Sequence, residues 1–275
     1  MKILKIGAVV LIIAVLLPAA SLALRIWDPL WNPFRPEPEK VIEKTIEKMQ
    51  TLKSFSYDVS AGSDSTQNEI VSSFSLTVKG DVDDKKLSTV FDVTVGALGV
   101  SINFGLEQRR IGEESYYKIT KVPSIPGLPE GLSSQKDQWI KQEAMATSQL
   151  DSIKAILEDK DLYVVQEELK DEDINGKPAY HYILKLDGDK IGKVLEQYSS
   201  QGATGNLDVA NIALGSLSKV LDNTDIEAWI GKKDYYVYKI KIMADTGNLE
   251  ANFSNFNQSF NIVPPENFKT QEDFK

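Results

Sequence analysis

Histidine occurs once in this 275-residue chain, as His181, and cysteine does not occur. Metal centres built on clustered imidazoles or thiolates are therefore excluded, and a Ser-His-Asp relay would depend on His181 alone. On a strand His181 points to the opposite sheet face from Tyr180 and Tyr182. No Gly-x-Ser-x-Gly elbow, phosphate loop or dinucleotide fingerprint accompanies it. Glycosidase chemistry needs two carboxylates in one cleft, and the sequence pairs none. Asp171-Glu172-Asp173-Ile174-Asn175-Gly176 copies the first half of a calcium-binding EF-hand loop. Tyr182 stands where that loop needs a bidentate Glu and Pro178 interrupts it, so the segment reads as a polar hairpin turn. Asp81, Asp83 and Asp84 read as solvated residues of a turn after Gly80. The expectation is a chain that is not an enzyme, with no catalytic residue, no metal and no cofactor.

Residues 6–24 form a run of apolar and small side chains preceded by Lys2 and Lys5. About 20 such residues suffice for a helix to cross a bilayer core. Two readings stay open for residues 1–26. As a membrane anchor, the run extends to Ile26 with Trp27 and Trp31 at the interface. As a signal peptide, Ser21-Leu22-Ala23 is the cleavage site and the domain is secreted. The first gives a single-pass membrane protein with an extracytoplasmic C-terminal domain. Without cysteine, no thioether-linked lipid could replace the anchor. All 40 Asp and Glu follow the apolar run and the whole chain carries −9, so nucleic acid is not an expected partner.

Prolines 29, 33, 36 and 38 make residues 27–38 a semi-rigid spacer. Residues 39–275 then read as one domain. Val41, Ile42, Thr45, Ile46, Met49 and Leu52 recur at helical spacing from Glu39. Period-two alternation follows around Phe55, Phe74, Phe91 and Phe104 and at residues 116–119, with Gly80, Gly96, Gly99 and Gly112 between, as in an antiparallel meander. A Pro- and Gly-rich loop, a short helix after Ser148, and a hairpin turning at Asn175-Gly176 come next. Two amphipathic helical stretches lie between Ile191 and Leu221. Strands at 226–230, 235–243 and 249–253 and an extended segment through Ile262 close the chain.

The phrases at residues 49–57, 174–182, 227–240 and 256–265 occur in an order that resembles the LolA-like superfamily, nearest the LppX and LprG type of lipoprotein. That resemblance implies an α+β fold: a strongly curved antiparallel β half-barrel with helices on its concave face, here preceded by the N-terminal transmembrane or signal helix. It also implies a cavity for lipid or lipoprotein acyl chains, although the lipidated cysteine is missing. Candidate lining residues are Phe55, Tyr57, Val59, Leu76, Phe91, Val93, Phe104, Tyr182 and Leu184, with Leu207, Leu214 and Leu217 from a covering helix. The expected partners are a lipid or other apolar ligand, the membrane through the N-terminal helix, and an envelope protein. An interaction or sensory ectodomain with the same fold and a filled cavity is the alternative.

Overall fold

The computed structural model describes residues 35–67, 70–97, 100–123, 133–142, 163–186, 224–244, 247–270 and 273. The apolar run at 6–24, the loop beyond Pro123, the short helix after Ser148 and the stretches between Ile191 and Leu221 lie outside them, as do Leu207, Leu214 and Leu217. Among the described residues no helix is long and apolar enough to cross a membrane.

The helix α1 spans Pro38–Gln50. Pro38 opens it because a missing N–H is harmless in the first turn, so this proline belongs to the helix and not to the spacer. Glu37 and Glu39 place negative charge beside the helix N-terminus, and Glu37 also pairs with Lys40 at 2.8 Å. Val41, Ile42 and Thr45 form its buried stripe. The Thr45 hydroxyl donates to the Val41 carbonyl at 2.8 Å, which satisfies it without water.

The strands are β1 (Ser54–Gln67), β2 (Ile70–Asp83), β3 (Lys86–Ala97), β4 (Val100–Ile111), β5 (Glu114–Lys121), β6 (Trp139–Gln142), β7 (Tyr163–Ile174), β8 (Lys177–Leu186), β9 (Ile226–Gly231), β10 (Val237–Ala244), β11 (Gly247–Ser254) and β12 (Lys269–Thr270). They form one open, curved sheet in the order β12-β6-β5-β4-β3-β2-β1-β11-β10-β9-β8-β7. Two meanders, β1 to β6 and β7 to β11, are joined where β1 meets β11 with Val59 opposite Ala251. Neighbours are antiparallel except β12 on β6. The hairpin between β7 and β8 turns at Asn175 and Gly176, whose φ values of +53° and +79° are the pair that two-residue hairpins require. Asp173 accepts the Gly176 N–H at 2.6 Å, so the acidic segment is strand and turn, as its sequence suggests.

Three expectations need correction. Gly80, Asp81 and Asp83 are inside β2, and the turn comes later, at Asp84 with φ +52°. Gly96 likewise lies within β3. The sequence reading also missed β6 and β12, which are too short to show an alternating pattern.

Arg35, just before α1, ties the chain to the edge strand β7. Its side chain is 7% exposed, with Nε 2.8 Å from Glu168 and Nη1 3.3 Å from Asp171. The guanidinium lies 5.6 Å from the Tyr182 ring centroid, and Lys232 also pairs with Asp171. After β11 the chain becomes a strap across the ends of several strands. Asn257 N–H donates to the Ser54 carbonyl at 2.8 Å, Phe260 N–H to Asp83 at 3.1 Å, and Arg109 Nη1 to the Val263 carbonyl at 3.3 Å. Phe268 then meets the Tyr116 ring edge-on at 5.2 Å.

Candidate functional site

Residues opposed in register point to the same side of a sheet. Tyr182 stands opposite Ala228, Ala228 opposite Ile240, Ile240 opposite Ala251, and Ala251 opposite Val59. The row continues through Val78, Phe91 and Leu106 to Ile119. A second row, two residues along, runs from Leu184 through Ile226, Ile242, Leu249, Ala61, Leu76 and Val93 to Phe104. The nine strand residues named as lining candidates therefore share one face. This apolar face holds two unbroken hydrocarbon rows from β8 to β4.

Helix α1 covers one end of that face. Val41 and Ile42 pack on Tyr180, Tyr182, Leu184, Ile226, Ala228 and Ile230. Tyr182 is fully buried, and burial pushes its hydroxyl up to about 12. On β1 to β4 the same rows are only half-buried. Toward the hairpin tips Phe74, Val95 and Val100, on this face, are 38%, 40% and 59% exposed.

Polar side chains interrupt the face at the opposite end of the strands, a feature the sequence reading missed. Tyr57 lies across Gly80 on β2, and its Oη is 2.5 Å from Thr89 Oγ1 on β3. Gln108 Nε2 donates to Ser115 Oγ at 3.4 Å, and Arg110 follows on the same side of β4. Parity with Leu106 was the available signal for Gln108 and Arg110. A Cβ at Gly80 would stand 2.3 Å from the Ser88 carbonyl oxygen and 2.6 Å from Tyr57 Oη, which explains the glycine better than a turn does. Gly80→Val is expected to cost at least about 1–3 kcal/mol in urea unfolding. Gly62→Ala, whose added Cβ would meet nothing closer than 3.5 Å, is expected to stay within about 1 kcal/mol of wild type.

The other face is polar. Lys79 pairs with Asp58 at 2.8 Å, Lys118 with Glu107 at 2.9 Å, and Lys239 with Glu250 at 2.8 Å. The Lys239 hydrogen bond holds the Glu250 carboxyl below its ordinary range, with help from Asn252. His181 is on this face, stacked on Trp229 with ring centroids 4.2 Å apart. Its Nε2 is 3.2 Å from Glu227 and its Nδ1 3.6 Å from Glu172. Trp229 Nε1 donates to Glu172 at 2.9 Å. The imidazole is thus packed and oriented between strands, with no serine nucleophile in these contacts. Among the described residues no cluster of His, Cys, Asp and Glu could hold a metal ion. A polar depression of about 260 Å³ beneath the strap is lined by Asp81, Ser88, Arg109 and residues 260–263.

Several solved structures match most of the length of this chain. The chain matches LprF from Mycobacterium bovis with a TM-score of 0.45 and 14% identity, over 84% of this chain and 98% of that one. Lipoprotein LppX from Mycobacterium tuberculosis matches with a TM-score of 0.41 and 14% identity, over 82% and 97%. A LolA superfamily protein from Nitrosomonas europaea matches at 0.22 and 10% identity, over 84% and 96%. These matches include both groups named by the sequence resemblance. No protein-family model and no curated protein matches the chain. At scores this low the likenesses say nothing of ligand or partner, and the functional reading rests on the apolar face.

Proposed function

We propose that this chain is a non-enzymatic, membrane-tethered envelope protein that holds a lipid, a lipoprotein acyl chain or another apolar ligand against its apolar face. The supporting observation is the pair of apolar rows that continue from β8 to β4 while, among the described residues, α1 packs on them at the β8, β9 and β10 end. Each methylene moved from water onto such a surface gains about 0.8 kcal/mol, so a long chain binds without any specific polar contact. That is the reason a sharp sequence motif is absent.

Native mass spectrometry of the full chain, freed from detergent micelles in the instrument, tests this. Lipid-sized adducts that survive detergent release are expected. Apo mass alone, even after incubation with membranes, would contradict the reading and favour an interaction ectodomain with a filled face.

A further inference from the structure

An apolar ligand alone does not account for the one arginine on β4 that faces it. Arg110 lies in the row Phe55, Val82, Leu87, Arg110 and Ser115 of the apolar face, at the end of the strands away from Phe74 and Val95. Arginine stays protonated at any physiological pH. Yet Arg110 Nε is buried and donates no hydrogen bond, and no ion pair among the described residues includes it. Such an atom calls for a partner.

Among the described residues, the part of the face around Arg110 offers no carboxylate. Along β1 to β5 every Asp and Glu falls on the polar side by parity, although the chain as a whole carries −9. Around Arg110 the same side carries the Ser115 hydroxyl, the Gln108 amide and the Tyr57–Thr89 hydroxyl pair. A fixed cation among neutral hydrogen-bonding groups is an oxyanion contact, and a guanidinium suits phosphate and carboxylate by its forked donors. From the Leu87 row to the Val95 row β3 runs about 26 Å at the usual strand rise. Beyond Thr89 that path is hydrocarbon: Phe91, Val93 and Val95 on β3, and Leu106, Phe104 and Ile102 on β4.

We infer that Arg110 is a headgroup contact: the apolar face takes an amphiphile with an anionic oxyanion headgroup, its head at Arg110 and its chains running toward Val95 and Val100. The inference rests on the lipid-binding reading and narrows it to one ligand class. Arg109, one residue away on the polar face, has its own partners in the Val263 carbonyl and the Trp139 ring, 4.7 Å from its guanidinium. It serves as the control.

The test is native mass spectrometry of the full chain with three probes: phosphatidylglycerol, a neutral diacylglycerol of the same chains, and inorganic phosphate. Wild type is expected to retain phosphatidylglycerol about tenfold better than diacylglycerol, the value of one charge-assisted contact. Arg110→Gln is expected to lose that preference while keeping diacylglycerol, Arg110→Lys to keep part of it, and Arg109→Gln to keep it all. Equal retention of the two lipids by wild type, or an unchanged preference in Arg110→Gln, overturns the inference and leaves lipid binding standing. Arg110-dependent capture of inorganic phosphate as strong as that of the lipid overturns it in favour of a free-anion site. Retention of neither lipid overturns both the inference and the reading beneath it.

Discussion

Replacing Phe91 by Asp is expected to strip bound lipid from the protein, whereas replacing Val90 by Asp is expected to leave lipid in place. The two residues are adjacent on β3 and face opposite sides. Phe91 sits in the middle of the first hydrocarbon row, between Val78 and Leu106. Val90 is on the polar face and 41% exposed. A carboxylate against an acyl chain must either remain ionised in an apolar contact or take up a proton, at a cost of several kcal/mol. Retention in Phe91→Asp is therefore expected to fall at least a hundredfold, about 2.7 kcal/mol. Circular dichroism of both variants shows whether the sheet persists. A folded Phe91→Asp that retains lipid as wild type does would place the ligand elsewhere.

Tyr182→Ala is expected to give the largest loss of stability in the described core. The side chain is fully buried among α1, β8 and β9, and truncating a buried aromatic costs about 3–5 kcal/mol. Tyr182→Phe is expected to stay within about 1 kcal/mol of wild type, because Oη makes no hydrogen bond of good geometry and the Arg35 guanidinium beside it is already paired with Glu168 and Asp171. Both variants also differ from wild type in alkali. Burial raises the Tyr182 hydroxyl to about 12, so its contribution is complete below the ordinary tyrosine value and disappears as pH rises toward 12. Either substitution removes that part of the alkaline loss, and Tyr182→Phe does so with the packing kept. Urea unfolding at neutral and alkaline pH measures both effects, and a loss of 3 kcal/mol or more in Tyr182→Phe at neutral pH would mean that Oη does have a partner.

Long strands were legible because their alternation is a property of each segment. Phe55, Tyr57 and Val59 announce β1, and Asn175-Gly176 fixes its hairpin through backbone sterics alone. Gly80 misled because a glycine inside a strand and a glycine in a turn look alike until the ring of Tyr57 is seen lying across it. The four residues of β6 pair along β5 and the two of β12 along β6, contacts made at long range with no local signature. Parity placed the nine strand candidates relative to their own neighbours, but only the register between strands joins them into rows. Arg110 was hidden for a related reason: a charged residue next to Arg109 looks like solvated surface, and its position on the apolar face follows from counting along β4 from Leu106.

The central claim is that an acyl chain lies on the face formed by these rows. Intermolecular nuclear Overhauser effects between a protonated lipid chain and methyl-labelled protein test it most directly. Contacts are expected to the methyls of Val59, Val78, Val93 and Leu106, with none to Val90 or Val164, which are exposed and lie off these rows. Chain contacts confined to Val90 and Val164, or no contact with any of the four row methyls in a protein that carries lipid, would contradict the account.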